Sequence, residues 1–181
     1  MYRPDPQVLT VLGVVFVDVL GLTVMIPLLP FYAQHFGATP VVVGALIATY
    51  AAGSLVMGPL LGRGSDRYGR RPVLMLSQAG SLLGFVLLAL APTLFWLFLG
   101  RILSGIMGAS WGAANSCVAD VVSPQDRGRY FGILGGAGAS GFVVGPAIGG
   151  VLGSVDERLP FVAAAILSIT VAAVGYFILK E

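Results

Sequence analysis

Charge is the property that this chain has least of. Only 10% of its 181 residues are charged, whereas 57% are hydrophobic and the mean hydropathy is +0.94. Soluble domains carry about 25% charged residues, so this composition excludes a soluble globular protein and indicates a membrane protein. The formal net charge is +2, and the basic residues form no patch of the kind that nucleic acid needs. We therefore expect the lipid bilayer, and no nucleic acid, as a partner.

Cysteine and histidine are almost absent, which excludes several kinds of site. Cys117 is the single cysteine and cannot form an internal disulfide, and His35 is the single histidine. Without a cluster of ligands a metal site is not expected, and the sequence has no glycine-rich phosphate-binding loop of the P-loop type. His35 and Lys180 lie outside the apolar runs, so they cannot activate a serine within the membrane. We expect neither an enzyme nor a bound cofactor.

The hydrophobic residues are concentrated in six long runs, at approximately residues 8–30, 40–62, 72–92, 94–119, 129–153 and 159–179. Each run is close to the roughly 20 residues that a helix needs to cross a bilayer. The first run is too long for a cleavable signal peptide. The sequence therefore predicts an all-α membrane protein in which residues 1–181 form a single six-helix transmembrane bundle, with charged loops at 63–71 and 120–128.

The positive charges are distributed unequally between the two predicted membrane faces. Eight of the ten Lys/Arg residues fall on the face that carries both termini and the two charged loops, whereas the other face has only Arg158, together with His35. Cytoplasmic loops of membrane proteins are enriched in Lys and Arg. We therefore expect both termini to be cytoplasmic, in a multi-pass protein of the cell (inner or plasma) membrane.

A short sequence pattern recurs at a spacing of 87 residues. Gly58-Pro59-Leu-Leu-Gly62 ends the second predicted helix, and Gly145-Pro146-Ala-Ile-Gly149 lies in the fifth. If the first three and last three helices are repeats, the odd number of helices gives them opposite orientations in the membrane. Inverted repeats are characteristic of secondary transporters, so the pattern predicts two inverted three-helix repeats.

Two charged side chains lie inside predicted helices. Asp18 is about ten residues into the first helix, which corresponds to a depth of about 15 Å, and Arg101 is about seven residues into the fourth. Each costs roughly 2.5–3.5 kcal/mol to insert, so such residues normally face a cavity or each other. They form either a structural ion pair or a substrate and proton cavity in which Asp18 titrates and Arg101 attracts an anionic group. Weaker candidates for the cavity lining are Asn115, Gln34, Ser54, Tyr50 and Trp111.

Charge is otherwise concentrated in the two predicted loops. The first is predicted to be a loop at a membrane face in which Asp66 ties helix ends together, and its residues are Gly62, Asp66, Arg67, Gly69, Arg70 and Arg71. The second contains Asp120, Asp126, Arg127 and Arg129. Isolated charges in solvated loops would explain each set separately. The repeated combination of acid and arginine favours an inner charge network that forms in one conformation and breaks in another.

Glycine is unusually frequent in the fifth predicted helix, which holds ten of the 26 glycines between residues 128 and 153. They form two ladders of four-residue spacing, Gly128/132/136 and Gly141/145/149/153. Such spacing puts small residues on one helix face and allows a close approach of a neighbouring helix. Static packing explains most of these glycines. The ladder together with Pro146, which should kink or loosen the helix, also predicts a smooth face against which another bundle closes.

These motifs resemble those of the major facilitator superfamily. The loop resembles that family's signature between helices 2 and 3, written here as Gly62-x-x-Ser65-Asp66-Arg67-x-Gly69-Arg70-Arg71. The segment Arg101-x-x-Ser104-Gly105-x-x-Gly108-Ala109 is similar to the helix-4 motif, with Ser104 in place of a frequent Gln. The helix-5 pattern matches the motif associated with antiporters, Gly132-x8-Gly141-x3-Gly145-Pro146-x2-Gly149-Gly150. The wider sequence, with Asp18-x-x-Gly21 and Ile26-Pro27-x-x-Pro30, is similar to drug:proton antiporters and particularly to the tetracycline efflux group.

The resemblance implies a secondary active transporter that uses the proton gradient to export a small, drug-like molecule by alternating access. It implies that Asp18 and Arg101 face a central cavity and that Asp66 latches the inner gate. The tetracycline group has an acidic residue where this chain has Gly84, and a Gln where it has Ser54, which weakens the case for tetracycline itself. Gly64 also replaces a larger apolar residue of the loop motif.

The resemblance also implies a second six-helix half, which would be elsewhere in the same chain, a second copy or a separate protein. Two alternatives remain open from the sequence. A metabolite:proton symporter half would share most of these motifs, although the helix-5 motif argues against it. A non-transporting membrane scaffold or regulatory partner would use the glycine faces to bind other helices.

Overall fold

The computed structural model describes residues 6–108, 115–116, 118–120 and 122–178, and these residues form helices and short connections without a β-strand. The helices are α1 (Pro6–Met25), α2 (Leu29–His35), α3 (Pro40–Tyr68), α4 (Arg70–Ala89), α5 (Leu94–Met107), α6 (Arg127–Gly153) and α7 (Leu159–Ile178). The described residues between 115 and 120 are also helical. Trp111 and Cys117 lie outside the described residues.

Four helices are long and apolar enough to cross a membrane, namely α3, α4, α6 and α7. The helices α1 and α2 pass the same test as a pair that is bent by 48°. The sixth apolar helix, α5, has 14 residues within the described part of the chain. Together these helices account for the six predicted transmembrane segments and form a multi-pass membrane protein.

The helices pack in the order α6–α1–α7–α4–α5–α3, in which each helix makes its main contacts with its neighbours in the order. This order is symmetric. Exchanging α1 with α5, α3 with α6, and α4 with α7 leaves every main contact in place. Such an exchange relates the first three transmembrane segments to the last three, as the prediction of two three-helix repeats requires.

Two apolar clusters fill the bundle, one towards each membrane face. The first lies at the end where α2 and the connection 154–158 meet, which we call the α2 end, and it includes Leu29, Tyr32, Phe85, Leu97 and Phe161. The second lies towards the opposite face, which we call the Gly69 end, and it includes Val11, Val14, Leu74, Val118 and Leu134.

The first predicted helix, 8–30, differs from the structure at its end. The chain breaks at Ile26–Leu28 and continues as α2 to His35, because Pro27 has no N–H to donate and Pro30 suits the first turn of a new helix. The interval between the predicted runs 8–30 and 40–62 is therefore reduced to a connection of residues 36–39.

The predicted charged loop 63–71 is also mostly helical. Helix α3 continues to Tyr68 and α4 begins at Arg70, so Gly69 alone connects them. Gly69 has a φ of +95°, a backbone conformation that side chains other than glycine rarely adopt. The charges of this segment show that it cannot lie in hydrocarbon, but they do not require a loop. A helix that extends beyond the membrane also keeps these charges in water. At the second predicted loop, 120–128, α6 already begins at Arg127.

Candidate functional site

A small cavity lies in the middle of the bundle, where four transmembrane helices meet. Its volume is about 10 Å³, enough for about one water molecule. Asp18 and Tyr50 are the ionisable residues among those that line it, and the full lining is Asp18, Leu22 and Met25 of α1, Tyr50 of α3, Ser81 and Phe85 of α4, with Ser104 and Gly108 at α5. The predicted cavity residues Asp18 and Tyr50 are therefore brought together from helices that are distant in sequence.

Asp18 accepts a hydrogen bond from a residue that the sequence analysis did not select. The Nε2 atom of Gln78 in α4 lies 2.8 Å from Oδ1 of Asp18, and the Gln78 side chain is fully buried. Beside it, the Ser77 hydroxyl donates to the main-chain carbonyl of Met107. An amide in the middle of an apolar run is also costly to bury, although less costly than a charge, and this weaker signal could have identified Gln78.

Arg101 is buried in α5, with 1% of its surface exposed. Its Nε donates to the main-chain carbonyl of Leu46 at 3.3 Å, and its guanidinium carbon lies 5.1 Å from the centroid of the Tyr50 ring. Its Nη1 has no hydrogen-bond partner within the described part of the chain. Tyr50 lines the same cavity as Asp18. Tyr50 therefore lies between the two predicted charges. Its ring makes a cation–π contact with Arg101, and it shares the wall of the cavity with Asp18.

The other predicted polar residues have different environments. Ser54 donates to the main-chain carbonyl of Gly105 at 3.1 Å and so connects α3 to α5. Asn115 is helical and partly buried, Gln34 is exposed on α2, and Trp111 lies outside the described residues. Ser104, which is buried, lines the cavity next to Gly84, and a Cβ atom at Gly84 would collide with the Ser104 Oγ. This contact leaves no room for a larger side chain at position 84 unless Ser104 moves.

The predicted gating residues cluster at the Gly69 end. The Nη2 of Arg71 donates to the main-chain carbonyl of Tyr176 at 2.7 Å, and its guanidinium carbon lies 5.1 Å from the centroid of the Tyr176 ring. Arg67 lies over the ring of Tyr68 at 5.4 Å, and Asp66 is exposed at the end of α3. Gly62 is inside α3, and Arg70 is the first residue of α4.

The second charged segment reaches the start of α6. The Nη2 of Arg127 donates to the main-chain carbonyl of Ala119 at 2.8 Å, and Asp120 is exposed next to it. Asp126 accepts a hydrogen bond of 2.9 Å from the Ser123 hydroxyl. These bonds fold the connection 122–126 onto the first turn of α6.

The antiporter-type motif divides between two faces of α6. A Cβ at Gly141, Gly145 or Gly149 would contact α1, at Val19, Thr23 and Val24 respectively. In addition, the Thr23 hydroxyl lies 2.8 Å from the main-chain carbonyl of Gly141. This ladder packs within the bundle, so the prediction that it forms a closing face for another bundle is wrong. The remaining motif positions lie on the outer face of α6 and are Gly132, Pro146 and Gly150.

Helix α6 continues without a break through Pro146. The exposed ladder of Gly128, Gly132 and Gly136 has open space at each Cβ position. For that ladder, the predicted contact with a second bundle stays a prediction.

A second polar cluster, which the sequence did not predict, lies at the α2 end. His35 Nδ1 and Glu157 Oε2 are 3.0 Å apart, which joins α2 to the connection between α6 and α7. An open depression of about 420 Å³ lies beside this pair and is lined by Tyr32, His35, Phe36, Asp156, Glu157 and Arg158. Two-thirds of the His35 side chain is exposed, so the pair contributes little to stability.

Comparisons with known proteins agree with this architecture. The class D tetracycline resistance protein of Salmonella ordonez is 43% identical over 172 residues, which cover 93% of this chain and 44% of that protein. Multidrug resistance protein 2 of Bacillus subtilis is 30% identical over 168 residues, 92% of this chain and 42% of that protein. The chain thus spans less than half the length of these relatives.

The fold is also found in solved structures and in a family-wide sequence model. The crystal structure of the human organic anion transporter TETRAN superposes with a TM-score of 0.84 at 23% identity, over 99% of this chain and 49% of that one. The sequence model of the Major Facilitator Superfamily matches residues 11–181. The chain therefore belongs to the Major Facilitator Superfamily, a family of transporters rather than enzymes.

Proposed function

We propose that this chain forms one six-helix half of a proton-coupled transporter that exports small, drug-like molecules by alternating access. The observation that carries the proposal is the position of Asp18, a carboxylate on the wall of a cavity in the middle of the membrane, bonded to a buried amide. Ionisable groups at this depth are expensive and are retained where they bind ions or substrates. The resistance proteins among the relatives support a drug-like substrate.

In this proposal Asp18 carries the coupled proton. A carboxyl group at the centre of the membrane is neutral when protonated and negative when ionised. The two forms therefore stabilise different arrangements of the polar groups around the cavity. A proton and a substrate that favour different conformations drive each other's transport, because each shifts the population towards the state that it binds. Arg101 and Tyr50 complete the electrostatic environment, with Arg101 providing a fixed positive charge behind the Tyr50 ring.

The substrate path in this proposal lies between this bundle and a second one. The cavity of about 10 Å³ is far smaller than the roughly 300–1,000 Å³ of small-molecule sites. Helices α3 and α6 occupy the two ends of the packing order and bury the smallest share of their apolar spans, 11% and 22%. Their free faces, which include the exposed ladder Gly128/132/136, are the surfaces that a second half would cover.

The charged groups at the Gly69 end are proposed to form the inner gate. The gating residues are Asp66, Arg67, Arg70 and Arg71, and the inner charge network adds Asp120 and Arg127. Arg71 already joins α4 to α7, and Arg127 joins α6 to the segment before it. Bonds of this kind at helix ends can be exchanged between two states without disturbing the apolar core. The excess of Lys and Arg at this end supports a cytoplasmic location for it and for both termini.

Position 84 distinguishes this chain from the tetracycline efflux group. The resemblance puts an acidic residue at position 84 in the tetracycline efflux group, and Gly84 here lies against Ser104, with no space for a carboxylate unless Ser104 moves. The proposal therefore names the broader class of drug-like molecules.

The proposal is tested in everted membrane vesicles that hold the chain together with whatever partners it has in its native cell. When the vesicle interior is acidified, addition of ethidium or tetracycline should release protons, which a pH-sensitive acridine dye would report. A collapse of the pH gradient that does not depend on the chain would contradict the proposal.

A further inference from the structure

We propose that Gln78 is a positioning residue that responds to the protonation state of Asp18, donating to the ionised carboxylate and turning its amide to accept from the protonated one. The inference rests on the proposed function, because it assumes that Asp18 gains and loses a proton during transport. It assigns a role to a residue outside every motif that identified the family.

The chemistry of the two groups is complementary in both states. An ionised carboxylate only accepts hydrogen bonds, whereas a protonated one also donates, and a primary amide can do both. In the structure Nε2 of Gln78 lies 2.8 Å from Oδ1 of Asp18, which is the arrangement for the ionised form. The other amide atom, Oε1, is buried and has no hydrogen-bond partner among the described residues.

The unpartnered oxygen is what points to a second state. A buried acceptor without a partner is unfavourable, and native proteins rarely keep one. When Asp18 is protonated, its O–H needs an acceptor, and a half-turn of the Gln78 amide places Oε1 where Nε2 now lies. The turn pairs the oxygen with the new proton and moves the amide nitrogen to the position that the oxygen leaves.

The groups near Asp18 differ in the charge and the hydrogen bonds that they bring to it. Tyr50 of α3 faces the cavity with its phenol, and the charged group of α5 is Arg101, which lies behind the Tyr50 ring. The remaining helices that pack on α1 bring no charge to this level, since the charges of α6 are the two arginines of its first turn and α7 has no charged residue. The hydroxyls of Ser81 and Ser104 line the cavity. Gln78 is bonded directly to the carboxylate through its amide.

Gln78 lies in α4 next to a contact between α4 and α5. Its neighbour Ser77 donates to the main chain at the end of α5. A change in the direction of the amide donor therefore occurs beside the joint between α4 and α5. Substrate or water in the cavity would meet a different hydrogen-bonding surface in each protonation state.

The inference is tested by infrared difference spectroscopy on the chain in lipid vesicles, with isotope-labelled glutamine side chains. Spectra at about pH 2.5 and about pH 9 bracket the range in which a carboxyl group titrates. The chain has four glutamines, and subtracting the spectrum of Gln78→Met assigns the Gln78 band. We expect the Gln78 amide carbonyl band to move between the two pH values, and to lose this movement in Asp18→Asn. Ser77→Ala is the matched control, because it removes a neighbouring buried polar group and should leave the movement intact.

Two results separate this inference from the proposed function. If drug-dependent proton release is present and is lost in Asp18→Asn, while the Gln78 band is the same at both pH values, the inference is overturned and the function stands. If the band moves with pH but no drug releases protons, the response of Gln78 to Asp18 stands and the proposed function fails. The measurement on the unmutated protein and on Asp18→Asn remains decisive even if Gln78→Met does not fold.

Discussion

The guanidinium of Arg101 lies over the ring of Tyr50, with 5.1 Å between the guanidinium carbon and the ring centroid. Both residues belong to the interior of a membrane protein, where an uncompensated cation is expensive. The ring face and the main-chain carbonyl of Leu46 provide the compensation that this structure shows. The same ring forms part of the cavity wall beside Asp18, so the contact fixes the position of a cavity residue as well as that of the charge.

Replacement of Arg101 by Lys should destabilise the bundle even though the charge is kept. Lysine has no planar group to lie on the Tyr50 ring and no Nε donor for the Leu46 carbonyl. We expect a loss of about 2 kcal/mol and a corresponding fall in the temperature of thermal unfolding in detergent micelles. Arg129→Lys, at an exposed position in the first turn of α6, is the control and should unfold as the wild type does. Equal stability of the two variants would show that the ring contact contributes nothing.

Replacement of Gly145 by Val should separate α6 from α1. A Cβ at this position would collide with the Thr23 side chain, which is itself buried between the two helices. Overpacking of this kind costs roughly 1–3 kcal/mol. Gly132→Val, in the same helix but with open space at its Cβ, should leave the unfolding temperature of the isolated bundle unchanged. If both substitutions lower the unfolding temperature equally, the packed and the exposed glycine ladder do not differ in how closely another helix approaches them, which would contradict the prediction.

Replacement of Arg71 by Gln should loosen the contact between α4 and α7 at the Gly69 end. The variant loses the bond to the Tyr176 carbonyl and the contact with its ring. Because the site is partly exposed, we expect a cost of only about 1 kcal/mol. Hydrogen exchange of the backbone amides near Tyr176 should become faster. Arg63→Gln, at an exposed position in α3, is the control, and identical exchange in both variants would contradict the prediction.

The protein mass of the detergent-solubilised particle, after subtraction of the detergent, should exceed the 18.7 kDa of one bundle because a second bundle is present. If the partner is a second copy, the protein mass will be twice 18.7 kDa, and if it is another half, the particle from native membranes will contain that protein as well. The reason is that the cavity of a single bundle is too small for a drug-like molecule. A lone 18.7 kDa bundle that carries out drug-driven proton release would contradict the account.

The sequence was sufficient to predict the fold class, because long apolar runs have one main solution in a membrane and because the motifs of helices 2 to 5 identify the family. It was not sufficient to predict the helix ends. The break at Pro27 and the continuation of α3 to Tyr68 depend on backbone geometry, and apolar composition specifies neither. Charge marks where a helix leaves the hydrocarbon and does not mark where the helix stops.

The candidate site was predicted in part. Asp18 and Arg101 were selected because an isolated charge in an apolar run is costly, and the structure puts both next to Tyr50. Gln78 was missed because an uncharged amide is a weaker signal than a charge, although its burial is complete. The packing of Gly141, Gly145 and Gly149 on α1 could not be predicted, since a ladder of small residues shows that something approaches closely but not which helix it is.

The most direct test of the account is the effect of Asp18→Asn on drug-driven proton release in everted vesicles from cells that produce the chain from its native locus. Ser77→Ala serves as the control for the disturbance of a buried polar group close to the site. The account predicts that ethidium or tetracycline releases protons in the wild type and in Ser77→Ala, and that Asp18→Asn abolishes the release while the protein remains in the membrane at the same level. Undiminished release in Asp18→Asn would remove Asp18 from the coupling mechanism and contradict the central claim.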